Sequence, residues 1–255
     1  MAAQYDNPAA RLREILLAVH AAFPSQGQQE QVTGWAAFAQ VLGFEEHSPE
    51  GIQALAGVTR LPDQVIADVR ELGEDPEDEE HLLLHLDHLQ AAMRKVAGRT
   101  PLYVAFSVFA PGGQVPMSAA VHGLAHVARV LHRANPSHQL SDEDLARLEA
   151  LIQELMREVS EAAKLPAAIR LPLLGHLHEM LQTVHMAKIL GMGAVEGALD
   201  AMLGGLLRRP EAADPLREAG LMDRFREWIT TFNGVISVGT GATGLGQQVL
   251  RMLSG

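Results

Sequence analysis

The sequence predicts an all-α protein, a multi-helix bundle with a small N-terminal helical layer, and three observations predict it. Ala, Leu, Gln and Glu are plentiful, aromatic residues make up only 4%, and β-branched runs are scarce, a bias toward helix over strand. Apolar residues recur at alternating three- and four-residue steps, most regularly at Leu145, Leu148, Ile152, Leu155, Val159 and Ala162, as in the seam of an antiparallel bundle. Helix starts and stops are marked by short polar caps, prolines and glycines, such as Asn7-Pro8 and Gly43.

Taken in order, Asn7-Pro8 caps a helix carrying Leu12, Ile15, Leu16, Val19 and Phe23. A polar loop over Ser25 to Gln31 leads to a helix capped near Thr33 that buries Trp35, Phe38, Val41 and Leu42 before Gly43 stops it. Ser48-Pro49 begins a third helix with Ile52 and Leu55, and Leu61-Pro62 a fourth with Val65, Val69 and Leu72. From Gly73 to Glu80 six acidic residues repel one another, which reads as a solvated linker, although the last three also suit a helix N-terminus. The run lacks the alternating ligands and central glycine of a calcium loop.

A helix from about Glu79 to Ala97 then presents Leu82, Leu86, Leu89, Met93 and Val96. Thr100 to Ala128 carries no Asp, Glu, Lys or Arg, but Pro111-Gly112-Gly113 and Pro116 cut it into pieces too short to span a bilayer, so two buried segments joined by a turn are expected. Ser141 to Asp144 resembles a capping box ahead of the long seam helix. Leu165-Pro166 turns the chain into a partner helix with Leu174, Leu177, Leu181 and Val184, in which Pro172 sets either a kink or the true start. Gly191 and Gly193 end that helix, and Val195, Leu199, Met202 and Leu206 form another. Asp214-Pro215 caps the next, whose Leu221, Phe225, Trp228 and Phe232 give the main aromatic stripe. The expected organisation is a short-helix layer over 1–73, an acidic linker over 74–80, and a bundle over 81–255 ending in an uncharged Gly-rich tail.

The run Leu165-Pro166-Ala167-Ala168-Ile169-Arg170, then Leu173-Leu174-Gly175-His176-Leu177, then Gly193 to Ala201 resembles a group of uncharacterised bacterial helical proteins. They share a long capped helix, a Leu-Pro turn and a later helix started by glycine. The resemblance implies a helical fold and a bacterial source, and it implies no activity. A faint similarity between Leu83 to Gln90 and Leu173 to Gln182 falls short of the regular period of a repeat protein.

A formal charge of -11 and few clustered basic residues, Arg94-Lys95 and Arg208-Arg209 among them, disfavour nucleic acid as a partner. No cysteine is present, which excludes disulfides and thiolate metal sites and fits a reducing interior. The start of the chain has neither the basic residues nor the apolar core of a signal peptide, so a cytoplasmic protein is expected.

Histidine is the sharpest chemical signal, with twelve in the chain. His81, His85 and His88 share one helical face, and His122 and His126 share another. Two imidazoles at i and i+4 chelate a metal such as zinc when a facing helix completes the set. Neither Glu-x-x-His nor His-Glu-x-x-His occurs. His122 and His126 are the metal candidates, against the ordinary reading of partly buried, hydrogen-bonded histidines and a third reading as a pH-sensitive contact. No Gly-x-Ser-x-Gly occurs and no nucleophile is paired with an evident base, so no catalytic residue and no cofactor is assigned.

The tail is the other conspicuous feature. Between Trp228 and Arg251 no residue is charged, and Gly239-Thr240-Gly241-Ala242-Thr243-Gly244 imitates a dinucleotide-binding turn. That turn requires a second strand and an acidic residue about twenty positions on, and neither fits before Gly255. Asn233, Gln247, Gln248 and the glycines make a poor membrane span. The residues assigned to an interaction surface are Trp228, Phe232, Val235, Gly239, Gly241 and Gly244. The expected function is a non-catalytic intracellular helical protein that binds a protein partner or itself through this apolar C-terminal segment. Two alternatives stand beside it: a membrane-acting effector of a bacterial defence or self-killing response, and a metal-dependent helical-bundle enzyme with histidine ligands.

Overall fold

The computed structural model describes residues 5–73, 75–136 and 140–236. Among them the chain is all-α, and the only extended pairing is an isolated antiparallel bridge between Thr33 and Pro101. No helix among the described residues is long and apolar enough to cross a membrane. The chain divides into two compact units, Met1–Ser137 and His138–Gly255. The acidic run over 74–80 lies inside the first unit. It is not a bare solvated linker: Asp75 accepts a hydrogen bond from the Glu77 amide, and Glu77, Asp78 and Glu79 fill the first turn of a helix, where its dipole favours anions.

In the first unit, α1 (Pro8–Ala22) starts as its sequence requires, with the Asn7 side chain accepting from the Ala10 amide. Leu12, Leu16 and Val19 are fully buried. A short α2 (Gln26–Gln31) replaces the expected polar loop, because Ser25 and Gln28 form a reciprocal capping box. Gln29 from its interior is buried and donates to the Phe23 carbonyl at 2.9 Å. Helix α3 (Gly34–Leu42) ends on Gly43 in the left-handed region, φ 76°.

The two helices expected around Pro49 and Pro62 are one, α4 (Pro49–Glu71), with Pro62 inside it. A proline here removes the hydrogen bond to the Val58 carbonyl, a cost local to one turn. Pro62 is itself buried, and Val58, Leu61 and Val65 around it are fully buried, so packing against α1 and the helix below outweighs the loss. The reverse happens at the helix expected over Glu79 to Ala97. It breaks at Leu84-His85 into α5 (Pro76–Leu83) and α6 (Leu86–Ala97), and Leu84 stands 60% exposed at the break. The uncharged stretch forms α7 (Leu102–Phe106), a turn over Pro111–Gly113 and α8 (Ala119–Ala134), capped by Ser118. Helix α1 packs on α4 and α8, and α4 on α6. The Asn7 amide ties the start of α1 to α8 by donating to the Ala128 carbonyl at 2.9 Å.

The second unit begins with α9 (Asp142–Glu161), where Ser141 and Asp144 form the expected reciprocal cap. Its seam residues Leu148, Ile152, Leu155 and Val159 are buried. Helix α10 (Ala167–His185) contains Pro172 rather than starting at it. Lacking an N–H, Pro172 leaves the Ala168 carbonyl without its helical donor. The Arg209 guanidinium donates to that carbonyl at 3.2 Å. After α11 (Ala187–Leu190), Gly191 at φ 82° allows the sharp entry into α12 (Met192–Leu207). Pro215 falls inside a short α13 (Ala213–Glu218), and the aromatic helix starts later, as α14 (Met222–Ile236). Helix α10 packs on α9 and α12, and α14 packs on α9, around one core.

Candidate functional site

The break between α5 and α6 shapes a cleft of about 220 Å³ in the first unit. It turns the Leu84-His85 segment toward α8, whose Gly123 leaves space that a side chain would occupy: a Cβ there would lie 3.4 Å from Cδ2 of His85. His81 from α5 and His126 from α8 meet edge to face, with ring centroids 6.4 Å apart and planes at 71°. His81, His85 and His126 therefore line one cleft, over an apolar floor that includes Leu82, Leu86, Leu124 and Val127.

His122 and His126 were expected to share a metal or to be buried and hydrogen-bonded. Both are exposed, and of the two only His126 lines the cleft. A helical turn separates them on α8, but the partner ring nearest His126 comes from α5. His88, which shares a face with His81 and His85 in an unbroken helix, lies in α6 beyond the break, is exposed and does not line the cleft. Among the described residues no group of three or more His, Asp or Glu side chains is arranged to hold a metal ion. The cleft thus offers an apolar floor and imidazole edges, with no carboxylate in its lining to polarise them.

The C-terminal candidates divide in two. Gly239, Gly241 and Gly244 lie outside the described residues. Trp228, Phe232 and Val235 are buried, at 4%, 0% and 6% exposure. The Trp228 and Phe232 rings stack at 4.8 Å, and the indole N–H of Trp228 donates to the Leu151 carbonyl of α9 at 3.1 Å. At the edge of this contact the Arg224 guanidinium reaches Glu158 at 2.6 Å, Glu154 at 3.0 Å and Glu227 at 3.3 Å. Hydrogen bonding and the charge of Glu158 raise the Arg224 pKa further above its ordinary value. These contacts seat α14 on α9. The apolar stripe of α14 faces its own bundle, a result the sequence pattern alone does not distinguish from an interaction surface.

Elsewhere titration is perturbed mainly by burial. Desolvation raises the carboxyl pKa of Glu14 and of Asp68 and lowers the imidazole pKa of His20. The buried ion pair between Arg11 and Asp6, at 2.7 Å, fixes the chain just ahead of α1.

The residues that sequence reasoning passed over are His176, Gly205, Arg208 and Arg209, which meet at the α10 and α12 crossing. The available signal was the glycine pair Gly204-Gly205 near the end of a helix, followed by two arginines. Comparison with protein-family models, with curated proteins and with solved structures finds no match to this chain.

Proposed function

We propose that this is a non-catalytic helical protein of the cytoplasm that binds another protein, or a second copy of itself, through the apolar sequence following α14. The supporting observation is the seating of α14. Trp228, Phe232 and Val235 are covered by the second unit's own core, and Arg224 holds the helix to α9 by ion pairs. The same uncharged sequence continues past Ile236 to Leu250 with Val238, Leu245, Val249 and Leu250 among its residues. Apolar residues in such a run favour a covering partner, and α14, which leads into them, is itself anchored to its bundle.

The test compares the full chain with a chain ending at Ile236. The shortened chain keeps every buried residue of α14 named above, so it is expected to fold cooperatively, as circular dichroism and thermal unfolding check. Light scattering on a sizing column then reads self-association, and affinity capture with defined partners reads binding. Loss of assembly or of a captured partner on truncation supports the proposal. Monodisperse monomers in both cases with unchanged capture would sink it. Leakage of anionic liposomes caused by the full chain and lost on truncation would overturn it in favour of a bilayer as the cover.

A further inference from the structure

The second unit contains a cleft of about 180 Å³ between α10 and the end of α12. Its two walls differ chemically. Ile169, Leu173 and Leu206 make one side apolar, and His176, Arg208 and Arg209 bring the polar groups, with no carboxylate in the lining. We propose that this cleft binds a small organic anion, a carboxylate or phosphate head on a short aliphatic tail.

Charge carries the first part of the argument. The chain is strongly acidic, with a formal charge of -11, and other arginines of the second unit stand against carboxylates. Arg224 contacts three of them, Arg217 pairs with Asp214, and Arg157 pairs with Glu161. The Arg208 backbone N–H donates to the Gly204 carbonyl at the end of α12, while its guanidinium has no hydrogen-bonding or ion-pairing partner among the described residues. Arg209 donates to the Ala168 carbonyl, which is a neutral acceptor, and no carboxylate pairs with it among the described residues. Two adjacent guanidinium groups without a counter-carboxylate attract an oxygen anion, for which the planar fork of arginine is well matched.

Geometry carries the second part. A Cβ on Gly205 would lie 3.0 Å from Nε2 of His176, so the missing side chain is what lets the imidazole settle against α12. Nδ1 of His176 is 3.5 Å from Glu179, which turns the Nε2 edge inward. At Gly204 a Cβ would lie 4.0 Å from Nη1 of Arg208, an ordinary contact, so the close approach is particular to Gly205. A glycine within a helix costs about 1 kcal/mol relative to alanine, and at Gly205 that cost coincides with the close approach of His176. Size carries the third part. At roughly 30 Å³ per water the space holds about six waters. That is enough for a short chain and its head, and below the usual range for larger ligands, roughly 300–1,000 Å³.

The test uses the full chain and titration calorimetry with five probes: hexanoate, hexyl phosphate, inorganic phosphate, hexanol and hexylammonium. Saturable binding is expected for hexanoate or hexyl phosphate, at least tenfold tighter than for hexanol, inorganic phosphate or hexylammonium. The tighter of the two organic anions identifies the head group. Arg208→Gln is expected to weaken that binding about tenfold, and Arg208→Lys to recover part of it; because Arg208 is exposed, neither change should alter the melting temperature. Hexanol binding as tightly as the organic anions would reduce the cleft to an apolar crevice and overturn the proposal. So would inorganic phosphate binding as tightly as hexyl phosphate, an unchanged affinity in Arg208→Gln, or no saturable binding of either organic anion.

Discussion

Replacing Phe232 with alanine separates the two roles open to the aromatic stripe of α14. Phe232 is fully buried, stacked at 4.8 Å on Trp228 and packed in the core of the second unit. Removing a buried benzyl group costs about 3–5 kcal/mol, counting both lost transfer energy and the cavity left behind. The lost ring stacking accounts for roughly 0.5–1.5 kcal/mol in pairs of this kind. A unit of roughly 120 residues has a total stability of about 6–18 kcal/mol at ordinary stability per residue. The substitution therefore removes a large share of it. At about 4 °C per kcal/mol for a unit of this size, the unfolding midpoint should fall by roughly 12–20 °C. Thermal and urea unfolding followed by circular dichroism measure this, with Thr230→Ala as the control. Thr230 is exposed on the same helix and its change should stay within about 0.5 kcal/mol. If Phe232→Ala unfolds like the parent chain while its oligomeric state or partner binding changes, the ring belongs to an interface and the core assignment is refuted.

Other perturbations test other joints of the structure. Asn7→Ala removes both the cap on α1 and the tie to the Ala128 carbonyl, and should cost about 1–3 kcal/mol in urea unfolding; a loss below about 0.5 kcal/mol is inconsistent with a buried double role. Arg209→Met should cost about 0.5–1 kcal/mol by leaving the Ala168 carbonyl without its guanidinium donor. That loss should shrink in a Pro172→Ala background, where the residue at 172 regains its N–H, so a double-mutant cycle showing simple additivity would rule out the exchange. Asp68 has a carboxyl pKa raised by burial, although Arg11 opposes the shift. The folded state then holds the proton to higher pH than the unfolded state, so this group's contribution to stability falls as pH rises from the unfolded pKa through the folded one. Asp68→Asn should be relatively more stabilising above that window than below it, as read from unfolding curves across pH 3 to 7; the opposite slope would contradict the desolvation assignment.

Caps and seams were the legible part of the fold. Asn7, Thr33, Ser48 and Ser141 cap helices as their local chemistry demands, since each satisfies an amide within three residues of itself. The buried positions of α9 follow its spacing for the same reason. Prolines were less legible. Pro62 and Pro172 both sit inside helices, because the cost of one missing hydrogen bond is weighed against packing or a distant donor that no local window contains. The Leu84-His85 break is the converse case: its apolar spacing is compatible with one continuous helix, and only the arrangement of α8 beside it accommodates two.

The candidate sites show the same division. From the sequence alone come the helical class, the absence of cysteine, the acidic balance of charge, and the existence of an apolar C-terminal stretch. Those are properties of composition and of separations of a few residues. Tertiary structure alone brought His126 to His81 rather than to His122, turned the α14 stripe into its own core, and assembled His176, Gly205, Arg208 and Arg209 into one cleft. Each depends on which helices lie side by side, and helix pairing is decided by the joint packing of many apolar side chains, not by the spacing within any one of them.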